Sequence, residues 1–144
     1  MRRITRLTRT SALAAAVLAP ALALASCGGL PAAETRAYLD SIPLGDLPSL
    51  AAAKGNGTWS GTYAIALPAG AVAAYRTISV NVVVSGAAVT AVSLTSPQDL
   101  NNSFFAGPME SQVVSAQSLE VDGVSSVSYS SKAFVKAVEN ALSK

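Results

Sequence analysis

The chain has 144 residues, of which 51% are hydrophobic and 12% are charged, and it carries one Cys and no His. This length predicts one domain with a substantial core. Without His there is no Ser-His-Asp triad and no His-ligated zinc or haem, and a single Cys excludes an internal disulfide.

The first 26 residues have the pattern of a secretion signal. An Arg-rich start precedes an apolar stretch over residues 12–25, which is too short to span a bilayer comfortably. The stretch ends in LASC, residues 24–27, which resembles the lipobox of bacterial lipoproteins. That resemblance implies that residues 1–26 are removed and that a lipid on Cys27 anchors the protein to a bacterial cell membrane, outside the cytoplasm. The alternative is an ordinary signal peptide with a chance Cys near its end.

From Cys27 onward the chain has six basic and eight acidic side chains, a net formal charge of 6 − 8 = −2. Since this part has no basic stripe, we expect no nucleic-acid partner. Residues 27–54 are rich in Ala, Pro and Leu, with a possible short helix over 32–39, and they are interpreted as a lipidated tether. The domain then extends over residues 55–144.

Residues 58–95 alternate between apolar and polar side chains, which predicts three successive strands. Ser85-Gly86 is the predicted turn between the second and third strands. The apolar positions of the first two strands are Trp59, Gly61, Tyr63, Ile65 and Leu67, then Ile78, Val80, Val82 and Val84. This alternation predicts an antiparallel sheet with one covered face.

The second half has helical spacing. Pro108 suits a first helical position, and Met109, Val113 and Ala116 follow on one face. A longer helix is indicated by the stripe Phe134, Val138, Ala141 and Leu142, with Ser130 or Ser131 as its cap. The predicted fold class is α+β, a small antiparallel sheet of about three or four strands with two helices packed on one face.

Residues 118–142, SLEVDGVSSVSYSSKAFVKAVENAL, resemble the signature of the FMN-binding domain family. These extracytoplasmic modules occur in subunits of the sodium-pumping NADH:quinone reductase, in related ion-pumping complexes and in many lipoproteins. The family pattern is roughly Asp-x-x-Ser/Thr-Gly-Ala-Thr/Ser before a Ser-initiated helix. Here Asp122 matches the Asp, Ser125 the first hydroxyl and Ser128 the last, while Ser126 replaces the Gly and Val127 the Ala.

The similarity extends upstream with less specificity. Residues 57–63, GTWSGTY, look like the family's opening strand, and residues 110–122 look like its helix and approach strand. The resemblance therefore covers about residues 55–143.

The resemblance implies that a flavin transferase attaches FMN through a phosphoester to Ser128, the residues around the flavin being Asp122, Ser125, Ser126, Val127 and Tyr129. The protein is then a membrane-anchored electron carrier with a redox partner that the sequence does not identify, rather than an enzyme with its own substrate. A phosphate at a helix N-terminus is physically favourable. The aromatic candidates for flanking the flavin ring are Trp59, Tyr63, Phe104, Phe105 and Tyr129, which are equally compatible with a core.

Two alternatives remain open. The serines near residue 128 can be caps and solvent-facing residues, as serine clusters usually are. In that case the protein is a flavin-free member of the family that serves as a structural or interaction domain in the envelope. The second alternative is that the protein binds flavin noncovalently.

Overall fold

The computed structural model describes residues 29–144, so the predicted signal and the lipidation site at Cys27 lie outside the described residues. The fold is α+β, as predicted: a three-stranded antiparallel sheet in the order β1-β2-β3 with helices packed against it. Among the helices of residues 29–144, none combines the length and the hydrophobicity that a membrane span requires. The elements in chain order are α1 (Ala32–Asp40), α2 (Leu47–Lys54), β1 (Gly57–Ala64), β2 (Thr77–Ser85), β3 (Ala88–Ser96), a 3-10 turn (Gln98–Leu100), α3 (Ala106–Ala116) and α4 (Ser128–Ser143).

The sheet has one apolar and one polar face, as the alternation predicted. In β2 the buried residues Ile78, Val80, Val82 and Val84 alternate with more exposed ones. On the opposite face, neighbouring strands are joined by hydroxyl and amide hydrogen bonds, Ser60 to Asn81 at 2.6 Å and Thr62 to Ser79 at 2.8 Å. Polar side chains can remain on this face because it is open to solvent: Ser60 and Thr62 are exposed, and Ser79 and Asn81 are half-buried.

The long helix α4 lies directly on β1 and β2. The contact is close because Gly61 has no side chain: a Cβ built there would lie 2.1 Å from the Ala137 carbonyl oxygen and 2.4 Å from the Ala141 nitrogen. The predicted stripe is confirmed, since Phe134, Val138, Ala141 and Leu142 are all buried. Gly61 therefore sets the distance between helix and sheet.

Helix α3 covers the outer edge of β3. The Gln117 side chain accepts from the Val89 N–H at 3.1 Å and donates to the Val89 carbonyl at 2.7 Å, and Glu110 accepts from the Leu94 N–H at 2.8 Å. These bonds replace a neighbouring strand and protect the edge. The helix begins two residues before Pro108, which was predicted as its first residue, and its last residue Ala116 is exposed rather than buried.

The segment interpreted as a tether is part of the packed structure. Helix α1 agrees with the helix expected over 32–39, but α2 was not expected, and its residues Leu47 and Ala51 are buried in the core. The difference has a local cause. Asp46 accepts from the Ser49 N–H at 3.1 Å, and Pro48 occupies the first turn, where proline is tolerated, so the proline starts a helix rather than interrupting one.

Candidate functional site

The start of α4 has no side-chain cap. The helix begins at Ser128, after Val127, and its first turn contains no acidic residue. The first backbone hydrogen bond of the helix runs from the Ser131 N–H to the Val127 carbonyl at 2.8 Å. The N–H groups of residues 128–130 therefore have no carbonyl partner within the helix. This end of the helix therefore presents unpaired N–H donors and the positive end of the helix dipole.

The prediction that Ser130 or Ser131 caps α4 is wrong. Both lie inside the helix and are buried. The Ser130 hydroxyl donates to the Tyr75 carbonyl at 2.6 Å. The Ser131 hydroxyl donates to the Val127 carbonyl at 3.0 Å and accepts from the Val124 N–H at 3.0 Å. Both hydroxyls thus hold neighbouring backbone in place.

Ser128 differs from these two serines. It is half-buried, and its hydroxyl makes no hydrogen bond with another described residue. Among the three serines of the first helical turns, Ser128 alone has a hydroxyl free for other chemistry.

The turn before α4 keeps a glycine-like backbone. Ser126, which stands where the family pattern has Gly, has φ 73°. This left-handed conformation is costly for a residue with a Cβ and is readily adopted by Gly. Val127, in the Ala position, packs partly against the core. The residues before it, 119–124, form no strand, so the approach strand expected within residues 110–122 is absent there.

Two cavities meet at Ser128. The larger, about 790 Å³, lies between α1, the 119–125 segment and α4, and its lining includes Asp122, Ser125 and Ser128. The smaller, about 240 Å³, is lined by residues 72–75 and 126–130. The predicted site residues are therefore divided between two cavities, with Ser126, Val127 and Tyr129 at the smaller one. Ser128 belongs to both.

The larger cavity contains charges of both signs. Its lining includes the basic residues Arg36 and Lys132 and the acidic residues Asp40, Glu120 and Asp122. Lys132 follows Ser128 by one helical turn, so both lie on the same face of α4. Burial lowers the pKa of Lys132, and the charge of Asp40 opposes that shift. Sequence reasoning missed Lys132 and the contribution of α1, although the i, i+4 spacing from Ser128 was a usable signal.

No family model matches the chain. No curated protein and no solved structure matches it either. The resemblance to FMN-binding domains thus rests on the motif from Asp122 to Ser128, and what it implies stays a proposal. Within residues 29–144 no group of three or more His, Cys, Asp or Glu side chains could hold a metal ion.

The aromatic candidates lie in different places. Phe105 is buried in the core against Phe134, in a T-shaped contact at 6.1 Å, whereas Phe104 is exposed. Trp59 and Tyr63 lie near the ammonium groups of Lys54 and Lys136 and line neither cavity. Of the five aromatic residues considered, Tyr129 alone lines a cavity described here.

The Tyr129 hydroxyl is buried and has no hydrogen-bond partner among the described residues. Its ring lies 6.3 Å from that of Tyr38, whose own hydroxyl donates to the Ala66 carbonyl at 2.5 Å. Buried polar groups are nearly always bonded, so this hydroxyl is an exception within the site.

Proposed function

We propose that the protein is a membrane-anchored, extracytoplasmic FMN-binding protein that carries electrons, with FMN attached through a phosphoester to Ser128 and a lipid on Cys27. FMN, when bound, supplies one- or two-electron transfer. The single observation that carries the proposal is which of the three serine hydroxyls at the start of α4 make hydrogen bonds. Ser130 and Ser131 are committed to backbone hydrogen bonds, and Ser128 is not.

The surroundings of Ser128 suit a phosphoryl group. A phosphodiester carries one negative charge, and the unpaired N–H groups at the start of α4 favour an anion there. Lys132, one turn along the same face, adds a positive charge at the cavity wall. The absence of an acidic residue from the first turn of α4 removes a direct source of repulsion.

The larger cavity is a suitable size for the rest of the group. Its volume of about 790 Å³ lies within the range of about 300–1,000 Å³ that is typical of ligand sites. Its apolar lining includes Leu39, Ile42, Leu44, Met109 and Val135. These side chains would exclude water from one side of a flavin ring, while Asp122 and Ser125 provide polar contacts.

Attachment requires a transferase to reach the hydroxyl. Asp122, Ser125 and Ser126 are exposed and Ser128 is half-buried, so the motif is accessible from solvent. Esterification would form an Oγ–P bond at Ser128 and break the phosphoanhydride bond of an activated FMN donor, so that the donor's other phosphate group leaves and the hydroxyl proton of Ser128 is released to solvent. Asp122 is suitably exposed to help a transferase place its substrate.

The test is the intact mass of the protein after coexpression with a flavin transferase. We expect an increase of one FMN minus one water, and no increase in Ser128→Ala. Ser125→Ala is the matched control because Ser125 is an exposed hydroxyl of the same motif, and its mass increase should persist. Lys132→Gln should lower the yield of the ester without abolishing it.

The opposite outcomes separate the alternatives. An unmodified, colourless wild-type protein under these conditions would contradict the proposal and favour the flavin-free structural or interaction domain. A yellow protein that loses its colour on denaturation and filtration would indicate noncovalent binding. An ester found on a different serine would exclude the assigned role of Ser128.

A further inference from the structure

One end of the sheet carries a partly apolar surface with few charged residues. The register places the end of β1, the start of β2 and the end of β3 together, through the pairs Ala64–Thr77 and Ser79–Ser96. Two loops leave this end, residues 65–76 and residues 97–105. Both exposed large hydrophobic side chains of the described residues lie on these loops, Val72 at 70% exposure and Phe104 at 63%.

The first described residues lie against one of these loops. A Cβ built on Gly29 would lie 2.6 Å from the Gly70 carbonyl oxygen and 3.8 Å from Cγ2 of Val72, and a Cβ on Gly70 would lie 3.4 Å from Leu30. Cys27 precedes Gly29 by two residues, which span at most about 7 Å of extended chain. The attachment point of a lipid on Cys27 would therefore lie within about 7 Å of Gly29, and Gly29 itself lies against the loop that carries Val72.

We propose that this end of the sheet, formed by residues 29–30, 65–76 and 97–105 and called here the apolar end, rests on the lipid bilayer that holds the Cys27 anchor. The proposal rests on the lipid anchor of the proposed function but not on the flavin. An anchor attached so close to the domain leaves little freedom of orientation, and the surface beside it must then lie at the bilayer.

The composition of the apolar end fits a lipid interface. The two loops contain two charged residues, Arg76 and Asp99, of opposite sign. Asp99 accepts from the Tyr75 hydroxyl at 3.2 Å, which joins the two loops. Residues 67–74, LPAGAVAA, have no polar side chain. Residues 97–105 are more polar, and Phe104 is the exposed large apolar side chain among them. Apolar side chains close to a lipid anchor lower their free energy when they enter the headgroup region.

The opposite end of the sheet lacks these features. Its β2–β3 turn, residues 85–87, is exposed and small, and the Gly86 N–H bonds to the Asn56 side chain at 2.9 Å. The start of α4 lies toward the apolar end, because Ser130 bonds to Tyr75. The smaller cavity has residues 72–75 on one wall and Ser128 on the other. Ser128 therefore lies on the membrane side of the domain.

The test uses the full, lipidated chain in vesicles of phosphatidylethanolamine and phosphatidylglycerol. Because Cys27 is the only Cys, its modification leaves an introduced cysteine as the single free thiol for a fluorophore. Ala69→Cys and Ser103→Cys place the label on the two loops that carry Val72 and Phe104, and both of these residues stay unchanged. Ser85→Cys, at the opposite end, is the matched control. Nitroxide-labelled acyl chains then quench only labels that enter the bilayer.

We expect a larger loss of fluorescence at residues 69 and 103 than at residue 85. The difference should shrink in the double variant Val72→Asp, Phe104→Asp, and persist in Thr90→Asp, an exposed position away from the apolar end. Equal quenching of the labels at residues 69 and 85 would contradict the proposed orientation of the domain on the bilayer. An absence of quenching at residues 69 and 103 would also contradict it, and this result is expected if a protein or a second copy of the chain covers the apolar end. A peptide mass without lipid on Cys27 overturns the anchor itself, and neither result depends on flavin at Ser128.

Discussion

The carboxylate of Glu139 accepts a hydrogen bond from the backbone N–H of Gly45 at 2.9 Å, across 94 positions of the chain. Its other oxygen accepts from the Lys136 ammonium at 2.7 Å, and Lys136 also donates to the Pro43 carbonyl at 3.1 Å. The two side chains are only 12% and 17% exposed. They fasten the segment between α1 and α2 to α4, and so hold α1 over the larger cavity.

Removal of the Glu139 carboxylate should therefore destabilise the protein. We expect Glu139→Ala to lower the free energy of unfolding by about 1–3 kcal/mol, because it leaves the Gly45 N–H and the Lys136 ammonium without their partner. Urea unfolding measures the change. Arg36→Ala is the control, since its pair with Asp40 is 86% and 71% exposed and should be worth less than about 1 kcal/mol. Equal effects of the two changes would contradict this role of Glu139.

The sequence predicted those features that depend on periodicity. The strands, the buried stripe of α4 and the fold class follow from alternation of two or of about 3.6 residues, which local sequence expresses directly. The packing of residues 29–54 could not be predicted in this way. Leu47 and Ala51 are buried, whereas the neighbouring apolar residues Ala52 and Ala53 are exposed. Which of these residues enter the core depends on contacts with distant parts of the chain.

The candidate site was predictable in part. The motif located the start of α4 and the Asp122 to Ser128 segment, but it could not separate Ser128 from Ser130 and Ser131. That distinction depends on the Tyr75 carbonyl, 55 positions away from Ser130, and on the turn that brings the Val124 N–H to Ser131. Lys132 lies with α1 in the wall of the larger cavity, and the local sequence does not express this long-range packing.

Gly61 should not tolerate a side chain. In Gly61→Ala the new methyl group would meet backbone atoms of α4 at Ala137 and Ala141, which cannot move without shifting the helix. We expect a loss of roughly 3 kcal/mol or more in the free energy of unfolding. Gly107→Ala is the matched control. Gly107 lies in α3, and a Cβ there meets only the Asn102 carbonyl oxygen at 3.8 Å.

The control Gly107→Ala should change the free energy of unfolding in the opposite direction to Gly61→Ala. Alanine at position 107 should stabilise α3 by about 0.5–1 kcal/mol because glycine loses more backbone entropy in a helix. Thermal melts of both variants would measure the two effects. A tolerated Gly61→Ala would show that α4 does not lie against β1 at this distance.

Two neighbouring tyrosines should respond oppositely to loss of their hydroxyls. Tyr129→Phe removes a buried hydroxyl without a partner, so we expect the free energy of unfolding to rise by up to about 1 kcal/mol. Tyr38→Phe removes the bond to the Ala66 carbonyl and should lower it by about 1 kcal/mol. Chemical denaturation of the protein without flavin measures both. A loss of stability in Tyr129→Phe would show that its hydroxyl has a partner.

Lys132 should make the free energy of unfolding vary with pH in the alkaline range. Because burial lowers its pKa in the folded state, the unfolded chain retains the proton over a range in which the folded chain has lost it. The unfolded state binds more protons there, so the free energy of unfolding rises with pH just below the ordinary lysine pKa. Lys132→Met should remove this rise and increase stability at neutral pH. The urea concentration at the unfolding midpoint, measured across this pH range, tests the prediction. If it changes with pH equally in the wild type and the variant, the prediction is wrong.

Replacing Ser126 with Gly, the residue that the family pattern has at this position, should stabilise the protein. Ser126→Gly relieves the left-handed backbone at φ 73°, at some entropic cost, so we expect a gain of up to about 1 kcal/mol in the free energy of unfolding. Ala87→Gly is the control because Ala87, in the β2–β3 turn, has φ 63° and lies away from both cavities. The two changes should stabilise the fold similarly, but only Ser126→Gly should also raise the yield of the Ser128 ester, since it makes the turn before Ser128 easier for a transferase to fit. Intact mass at a fixed coexpression time measures that yield, and an equal gain in Ala87→Gly would assign the effect to stability alone.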